Sequence, residues 1–85
     1  MTELEILDGV REVIRDELRL SMPVTPSTNL IRDLQLDSLK QLTLVVELEN
    51  RFQVRLEAGD EEGLETLEDV VQLVRRRLAE KPHLA

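Results

Sequence analysis

Few residues in this chain could carry covalent chemistry, and this narrows the chemistry that it could perform. The chain has no cysteine, so thiol nucleophiles, thiolate zinc sites and disulfides are excluded. The single histidine, His83, lies near the C-terminal end, and a Ser-His-Asp triad is therefore not expected. Neighbouring carboxylates such as Glu47 and Glu49 are more simply solvated surface charges than tuned general acids. The most informative candidate is the hydroxyl of Ser38.

The composition predicts one small acidic domain. A chain of 85 residues has room for a single core, which must be aliphatic because Phe52 is the only aromatic residue. The formal charge of -7 disfavours nucleic acid and anionic membranes as partners and favours basic protein surfaces. Positions 37–65 hold eight acids and three bases, so the partner surface is expected there. With no signal-peptide pattern and no membrane-spanning stretch, we expect a cytoplasmic protein without membrane insertion.

The first helix is predicted at about 2–20. Thr2 and Glu5 have the spacing of a capping box, in which each side chain bonds the backbone amide of the other residue. Apolar residues then recur at helical spacing. They are Ile6, Leu7, Val10, Val13, Ile14 and Leu18.

A long loop is predicted at 21–36, because prolines and small polar residues replace the helical pattern. Its apolar residues could anchor it to the core as an ordered connection. They are Val24, Leu30, Ile31, Leu34 and Leu36. The second helix is predicted at about 37–52, with either Asp37 or Ser38 as its N-cap. The segment 53–56 is interpreted as an extended linker, since no second strand-like run could pair with it.

The remaining elements complete an all-α bundle of three main helices and one short helix. Gly59 and Gly63 leave room for one short turn at 59–64. Its acids could hold a divalent cation weakly, but they lack the ligand spacing of a calcium loop, so a solvated acidic loop is favoured and no metal site is expected. Thr66 and Asp69 form a second possible capping box, and the last helix is predicted at about 66–81. Its apolar stripe consists of Leu67, Val70, Val71, Val74 and Leu78.

Ser38 lies where the loop ends and the second helix begins. Taken alone, an Asp-Ser pair at that position is most simply a helix cap. Helical spacing adds a second observation, because Leu42 and Val46 follow Ser38 on the same side of the helix. A separate core-facing stripe already exists at Leu44, Val45, Leu48 and Phe52, so Leu42 and Val46 look like additional apolar surface for docking. The alternative is a helix buried on two sides.

The segment Asp37-Ser38-Leu39 resembles the signature of the acyl carrier protein family, Asp-Ser-Leu or Asp-Ser-Met at the start of the second helix. The order of helices, the long anchored loop, the segment 45–52 and the acidic turn extend the resemblance over nearly the whole chain. The resemblance implies that a phosphopantetheinyl transferase moves 4'-phosphopantetheine from coenzyme A onto Ser38, with Asp37 aiding recognition. It implies a non-enzymatic carrier, expected to be a monomer, that docks through helix two to a loading ligase and to pathway synthases.

The predicted partner-binding residues lie along helix two. They are Leu39, Lys40, Leu42, Thr43, Val46, Glu47, Glu49 and Asn50. Two departures from the family pattern bear on the subtype: Gln35 stands where many members have glycine, and Lys40 and Arg51 interrupt the acids common in fatty-acid carriers. We therefore expect an acyl carrier of a specialised fatty-acid or polyketide pathway. Segment 46–52 also resembles D-alanyl carrier proteins, so an aminoacyl carrier stays open, as does an unmodified helical interaction module.

Overall fold

The computed structural model describes residues 2–17, 19, 23–57 and 59–80, and these residues form three α-helices around one aliphatic core. Helix α1 spans Glu3–Glu17, α2 spans Ser38–Phe52 and α3 spans Leu67–Glu80. The predicted short helix is a single 3-10 turn, Asp60–Gly63. No strand is present among these residues, and one isolated bridge joins Asn29 to Thr66.

Both predicted capping boxes are confirmed, and they explain where α1 and α3 begin. Glu5 N donates to Thr2 Oγ1 at 3.2 Å while Thr2 N donates to Glu5 Oε1 at 2.8 Å. Asp69 N donates to Thr66 Oγ1 at 3.3 Å, and Thr66 N donates to Asp69 Oδ2 at 3.0 Å. In each box two amides that lack a helical partner are therefore bonded.

The prediction that the first helix runs to about Leu20 is wrong, because α1 ends at Glu17. Arg19 has φ of 55°, in the left-handed region, so the helix does not continue through it. Some residues of the predicted elements lie outside the described residues. They are Leu18 and Leu20 of the first helix, residues 21 and 22 of the loop, and Lys81 of the last helix.

The three helices bury one side each. The core side chains of α1 are Ile6, Val10, Val13 and Ile14; those of α2 are Leu44, Val45, Leu48 and Phe52; those of α3 are Leu67, Val70, Val71, Leu73 and Val74. Fully burying one such side chain contributes about 1.5–3 kcal/mol, so this shared core is the main source of stability.

The loop before α2 is ordered by burial and by bonds to the start of α3. Leu30, Leu34 and Leu36 are buried, as predicted, and Val24 packs against the core from a partly buried position. Ile31 was predicted to be a further anchor; this is wrong, because its side chain is 51% exposed. Leu67 N donates to the Thr28 carbonyl at 3.0 Å and Glu68 N to that of Pro26 at 2.8 Å, so the loop also bonds the first amides of α3.

The segment between α2 and α3 is held by charged side chains. Arg77 forms two hydrogen bonds with the Asp60 carboxylate, at 3.0 and 3.1 Å, and both side chains are largely buried. Glu57 N also donates to Asp60 at 2.7 Å, and this bond, together with Arg77, lowers the pKa of Asp60. The acidic turn is thus tied to α3 by Asp60.

Candidate functional site

Ser38 is the first residue of α2, and its side chain is exposed. Asp37 is the N-cap, in an extended conformation with φ of -82° and ψ of -179°. Its Oδ1 accepts a hydrogen bond of 2.9 Å from Lys40 N. Of the two caps that the sequence allowed, Asp37 fills the role, so the hydroxyl of Ser38 is not needed to cap α2.

The backbone just before Ser38 is fixed at two buried leucines with a strained residue between them. Leu34 and Leu36 are 4% and 2% exposed. Gln35 has φ of 55°, a left-handed conformation that costs a residue with a side chain more than it costs glycine. The glycine found here in many family members would adopt this conformation with less strain, yet glutamine adopts it in the present chain.

The start of α2 suits an anionic group attached to Ser38. Among the described residues, no protein acceptor bonds the amides of Ser38 and Leu39, which belong to the electropositive N-terminus of the helix. The first turn contains no acidic residue, and Lys40 is exposed there. An exposed hydroxyl beside two unbonded amides fits a phosphodiester at this position.

Three apolar side chains on α2 are exposed. Leu39 is 72% exposed, Leu42 54% and Val46 44%, and we call these three residues the exposed stripe. Their spacing of three and four residues places them on one side of the helix, starting next to Ser38. Leu44, Val45 and Leu48 fill the core side instead. The exposed stripe is thus apolar surface that the intramolecular core does not use.

The predicted polar partner residues divide into two groups. Lys40 and Asn50 are exposed, whereas Thr43, Glu47 and Glu49 are half-buried. Thr43 Oγ1 donates to the Leu39 carbonyl at 3.0 Å. Glu47 and Asn50 line a groove of about 190 Å³ against α1, together with Glu12, Val13, Asp16, Glu17 and Arg51.

Glu49 has an intramolecular role that its sequence position did not indicate. Its Oε2 accepts a hydrogen bond of 3.0 Å from Leu56 N, and its backbone carbonyl accepts the amides of Gln53 and Val54. The carboxylate therefore holds the linker after α2. The sequence feature that could have indicated this contact is the apolar Leu56, seven residues after Glu49. A single sequence does not show, however, which acid bonds the amide of Leu56.

The two basic residues on α2 also differ. Arg51 forms an ion pair with Glu12 of α1. No ion pair to Lys40 is present within the described part of the chain. The positive charge of Arg51 is thus neutralised within the fold, while that of Lys40 is presented to solvent beside Ser38.

The site is thus an exposed serine at the start of the second helix of a small helical bundle, and comparison with known proteins identifies the family. The family model described as phosphopantetheine attachment site matches residues 8–74. The chain belongs to the acyl carrier protein family, whose members are carriers of phosphopantetheine and not enzymes.

Two relatives agree with this assignment, and a solved structure has the same fold. The chain is 30% identical over 86 residues to the meromycolate extension acyl carrier protein of Mycobacterium tuberculosis, covering 100% of this chain and 75% of that protein. It is 31% identical over 80 residues to the acyl carrier protein of Thermosynechococcus vestitus, covering 93% and 99%. The crystal structure of an acyl carrier protein from Thermotoga maritima has the same fold, with a TM-score of 0.80 at 19% identity, covering 92% of each chain.

None of the helices in the described part of the chain combines the length and the apolar character that crossing a membrane requires.

Proposed function

We propose that this protein carries acyl intermediates as thioesters on a 4'-phosphopantetheine arm attached to Ser38. The observation that carries the proposal is the exposed hydroxyl of Ser38 at the N-terminus of α2, in a chain of the phosphopantetheine attachment family. The arm supplies the thiol that the chain lacks, since it contains no cysteine.

The attachment step that we propose is a phosphoryl transfer to Ser38. The hydroxyl oxygen forms a bond to the phosphorus nearest the pantetheine of coenzyme A, the pyrophosphate bond breaks, and adenosine 3',5'-bisphosphate leaves. The hydroxyl proton passes to a base of the transferase. The unbonded amides of Ser38 and Leu39 stabilise the resulting phosphodiester anion, and Asp37 aids recognition by the transferase while capping α2.

The exposed stripe is the proposed docking surface for the transferase, for a loading ligase and for pathway synthases. Apolar contact at Leu39, Leu42 and Val46 gives affinity, because this area is already outside the core. Lys40, Thr43, Glu47 and Asn50 surround the stripe and select among partners through charge and hydrogen bonding. Glu49 contributes indirectly, through its bond to the linker.

The cargo that we propose belongs to a specialised fatty-acid or polyketide pathway. Both relatives named above are acyl carrier proteins, and the name of one specifies meromycolate extension. The exposed positive charge of Lys40 supports partners that differ from those adapted to a uniformly acidic second helix. We further propose that the carrier is a cytoplasmic monomer, which sedimentation of the purified protein and localisation of a tagged copy would test.

The decisive experiment is intact mass after incubation with coenzyme A and a promiscuous phosphopantetheinyl transferase. We expect the wild type to gain one arm and Ser38→Ala to gain none while staying folded, because Asp37 remains as the cap. Ser27→Ala is the matched control, since Ser27 is an exposed serine on the loop. An unmodified wild type, or an arm on the Ser38→Ala protein, would refute the proposal.

A further inference from the structure

Gln41 holds the two carbonyl groups that precede Ser38. Its backbone amide donates to the Asp37 carbonyl at 2.9 Å, and its side-chain Nε2 donates to the Leu36 carbonyl at 3.1 Å. Leu36 N in turn donates to the Leu30 carbonyl at 3.1 Å. The peptide units on both sides of Asp37 are therefore connected to α2 and to the buried loop.

The side-chain bond of Gln41 is not part of the ordinary helical pattern. The Asp37 carbonyl accepts the first regular helical bond, whereas the Leu36 carbonyl lies one residue before the cap and has no helical donor. The residue before it, Gln35, is in the left-handed conformation, with φ of 55°. Without the bond from Gln41, rotation about the bonds next to Leu36 could relax that strain and reorient Asp37 and Ser38.

We propose that Gln41 is a positioning residue for the modification of Ser38, an inference that rests on the proposed function. By bonding the Leu36 carbonyl, its side chain fixes the extended conformation of Asp37 and hence the direction of the Ser38 hydroxyl. Phosphoryl transfer needs the attacking oxygen in line with the breaking bond, and a displacement of about 1 Å can reduce such a rate by roughly 100-fold. The exposed stripe is not involved in this bond, so docking itself should not depend on Gln41.

Gln41→Met tests the proposal, because methionine keeps the length of the side chain and removes the donor. We expect kcat for arm transfer to fall by roughly 10- to 100-fold with little change in KM for the carrier. Gln53→Met is the matched control: Gln53 Nε2 also donates to a backbone carbonyl, that of Asn50 at 2.7 Å, but at the opposite end of α2. This variant should be loaded with the kcat of the wild type.

Thermal unfolding completes the test, because it gives the folded fraction of each variant to which the transfer rates are normalised. Gln41→Glu is the second variant, which should be at least as slow because a carboxylate cannot donate to Leu36. Loading of either variant with the wild-type kcat, or a decrease that disappears on normalisation or is shared by Gln53→Met, would overturn the role of Gln41 and leave Ser38 as the attachment residue. A wild type that gains no arm would instead refute the proposed function.

Discussion

The two ends of α2 are stabilised in different ways. At the first turn the side chains of Ser38, Leu39 and Lys40 are exposed. The backbone there is fixed by a hydrogen bond that Lys40 N donates to the Asp37 carboxylate and by one that the Gln41 side chain donates to the Leu36 carbonyl. At the last turn, about 21 Å away along the 15-residue helix, Phe52 is only 6% exposed and packs against Gly9 of α1.

This difference separates the attachment site from the core. Because the first turn contributes little apolar burial, its side chains can change or carry a prosthetic group without much loss of folding free energy. The last turn carries the packing between α1 and α2. Variants at the two ends should therefore affect different measurements: loading and partner use at the first turn, and the free energy of unfolding at the last.

The largest expected effect is at the packed end. Phe52→Ala should lower the free energy of unfolding by about 3–5 kcal/mol and Leu48→Ala by about 2–5 kcal/mol, since both truncate buried side chains. Val46→Ala should cost less than about 1 kcal/mol, because Val46 is 44% exposed. Urea denaturation measures all three. Equal losses would show that Val46 is a core residue and would remove the proposed docking surface.

Gly9→Ala tests the contact between α1 and Phe52. A methyl group at this position would lie 2.6 Å from Phe52 Cζ, so the ring or the helix must move. Overpacking costs about 1–3 kcal/mol, which outweighs the gain in helix propensity of up to about 1 kcal/mol. We expect a lower melting temperature.

Gly63→Ala is the control for that prediction. A methyl group added at Gly63 meets no atom within 4 Å, so the melting temperature should change little. A Gly9→Ala protein more stable than the wild type would mean that Phe52 does not fill the space beside Gly9.

The stability that comes from hydrogen bonds to carboxylates should decrease in acid, whereas the stability that comes from apolar packing at the last turn of α2 should not. The pKa of Asp69 is lowered from its ordinary value of 3.8, mainly because the amides of Thr66 and Glu65 bond its carboxylate. A lowered pKa in the folded state stabilises the fold at neutral pH, and this contribution is lost as the pH falls below about 4. Asp69→Asn should therefore lower stability at neutral pH and flatten the dependence of melting temperature on pH.

Val46→Ala provides the reference slope for the acid experiment, because it changes no titrating group. If Asp69→Asn loses as much melting temperature in acid as this reference does, the anchoring bonds of Asp69 are not a source of acid sensitivity.

The sequence was sufficient to predict what depends on local spacing. The sequence correctly predicted the capping pairs, the helical stripes, and the division of α2 into a core side and an exposed side. Each of these features follows from residues three or four positions apart. Ile31 shows the limit: it adjoins the buried Leu30 and is equally apolar, yet only one of two adjacent residues in a turn can face the core. The bond from Glu49 to the linker and the space at Gly9 depend on tertiary packing, which local pattern does not specify.

The left-handed residues flanking α2 allow a smaller test. Gln35 and Gln53 have φ of 55° and 54°, so glycine at either position would relieve strain of roughly 1 kcal/mol. The greater entropy of glycine in the unfolded chain offsets about 0.5–1 kcal/mol of this gain. We expect Gln35→Gly and Gln53→Gly to change the free energy of unfolding, measured by urea denaturation, by less than about 1 kcal/mol.

Gln72→Gly supplies the contrast, because Gln72 lies within α3 and its φ is not positive. This variant should lose about 1 kcal/mol. If Gln35→Gly lost as much, the left-handed conformation at Gln35 would be contradicted.

The smallest expected effect concerns charge at the two ends of α2. Lys40 is exposed without an ion pair among the described residues, whereas the charge of Arg51 is neutralised by Glu12. A partner with a basic docking surface should be repelled by Lys40 and scarcely affected by Arg51. Because exposed charges are screened and individually weak, the effect should be a few-fold change in kcat/KM that is largest at low ionic strength.

Single neutral substitutions separate the two charges. Lys40→Gln should increase use of this carrier by a synthase that accepts acidic carriers, and the increase should disappear at high ionic strength. Arg51→Gln should leave that rate nearly unchanged and lower the free energy of unfolding by at most about 1 kcal/mol, since it breaks a half-exposed ion pair. If both variants raised the rate equally, Arg51 would also be acting on the partner, and the ion pair with Glu12 would not neutralise its charge during docking.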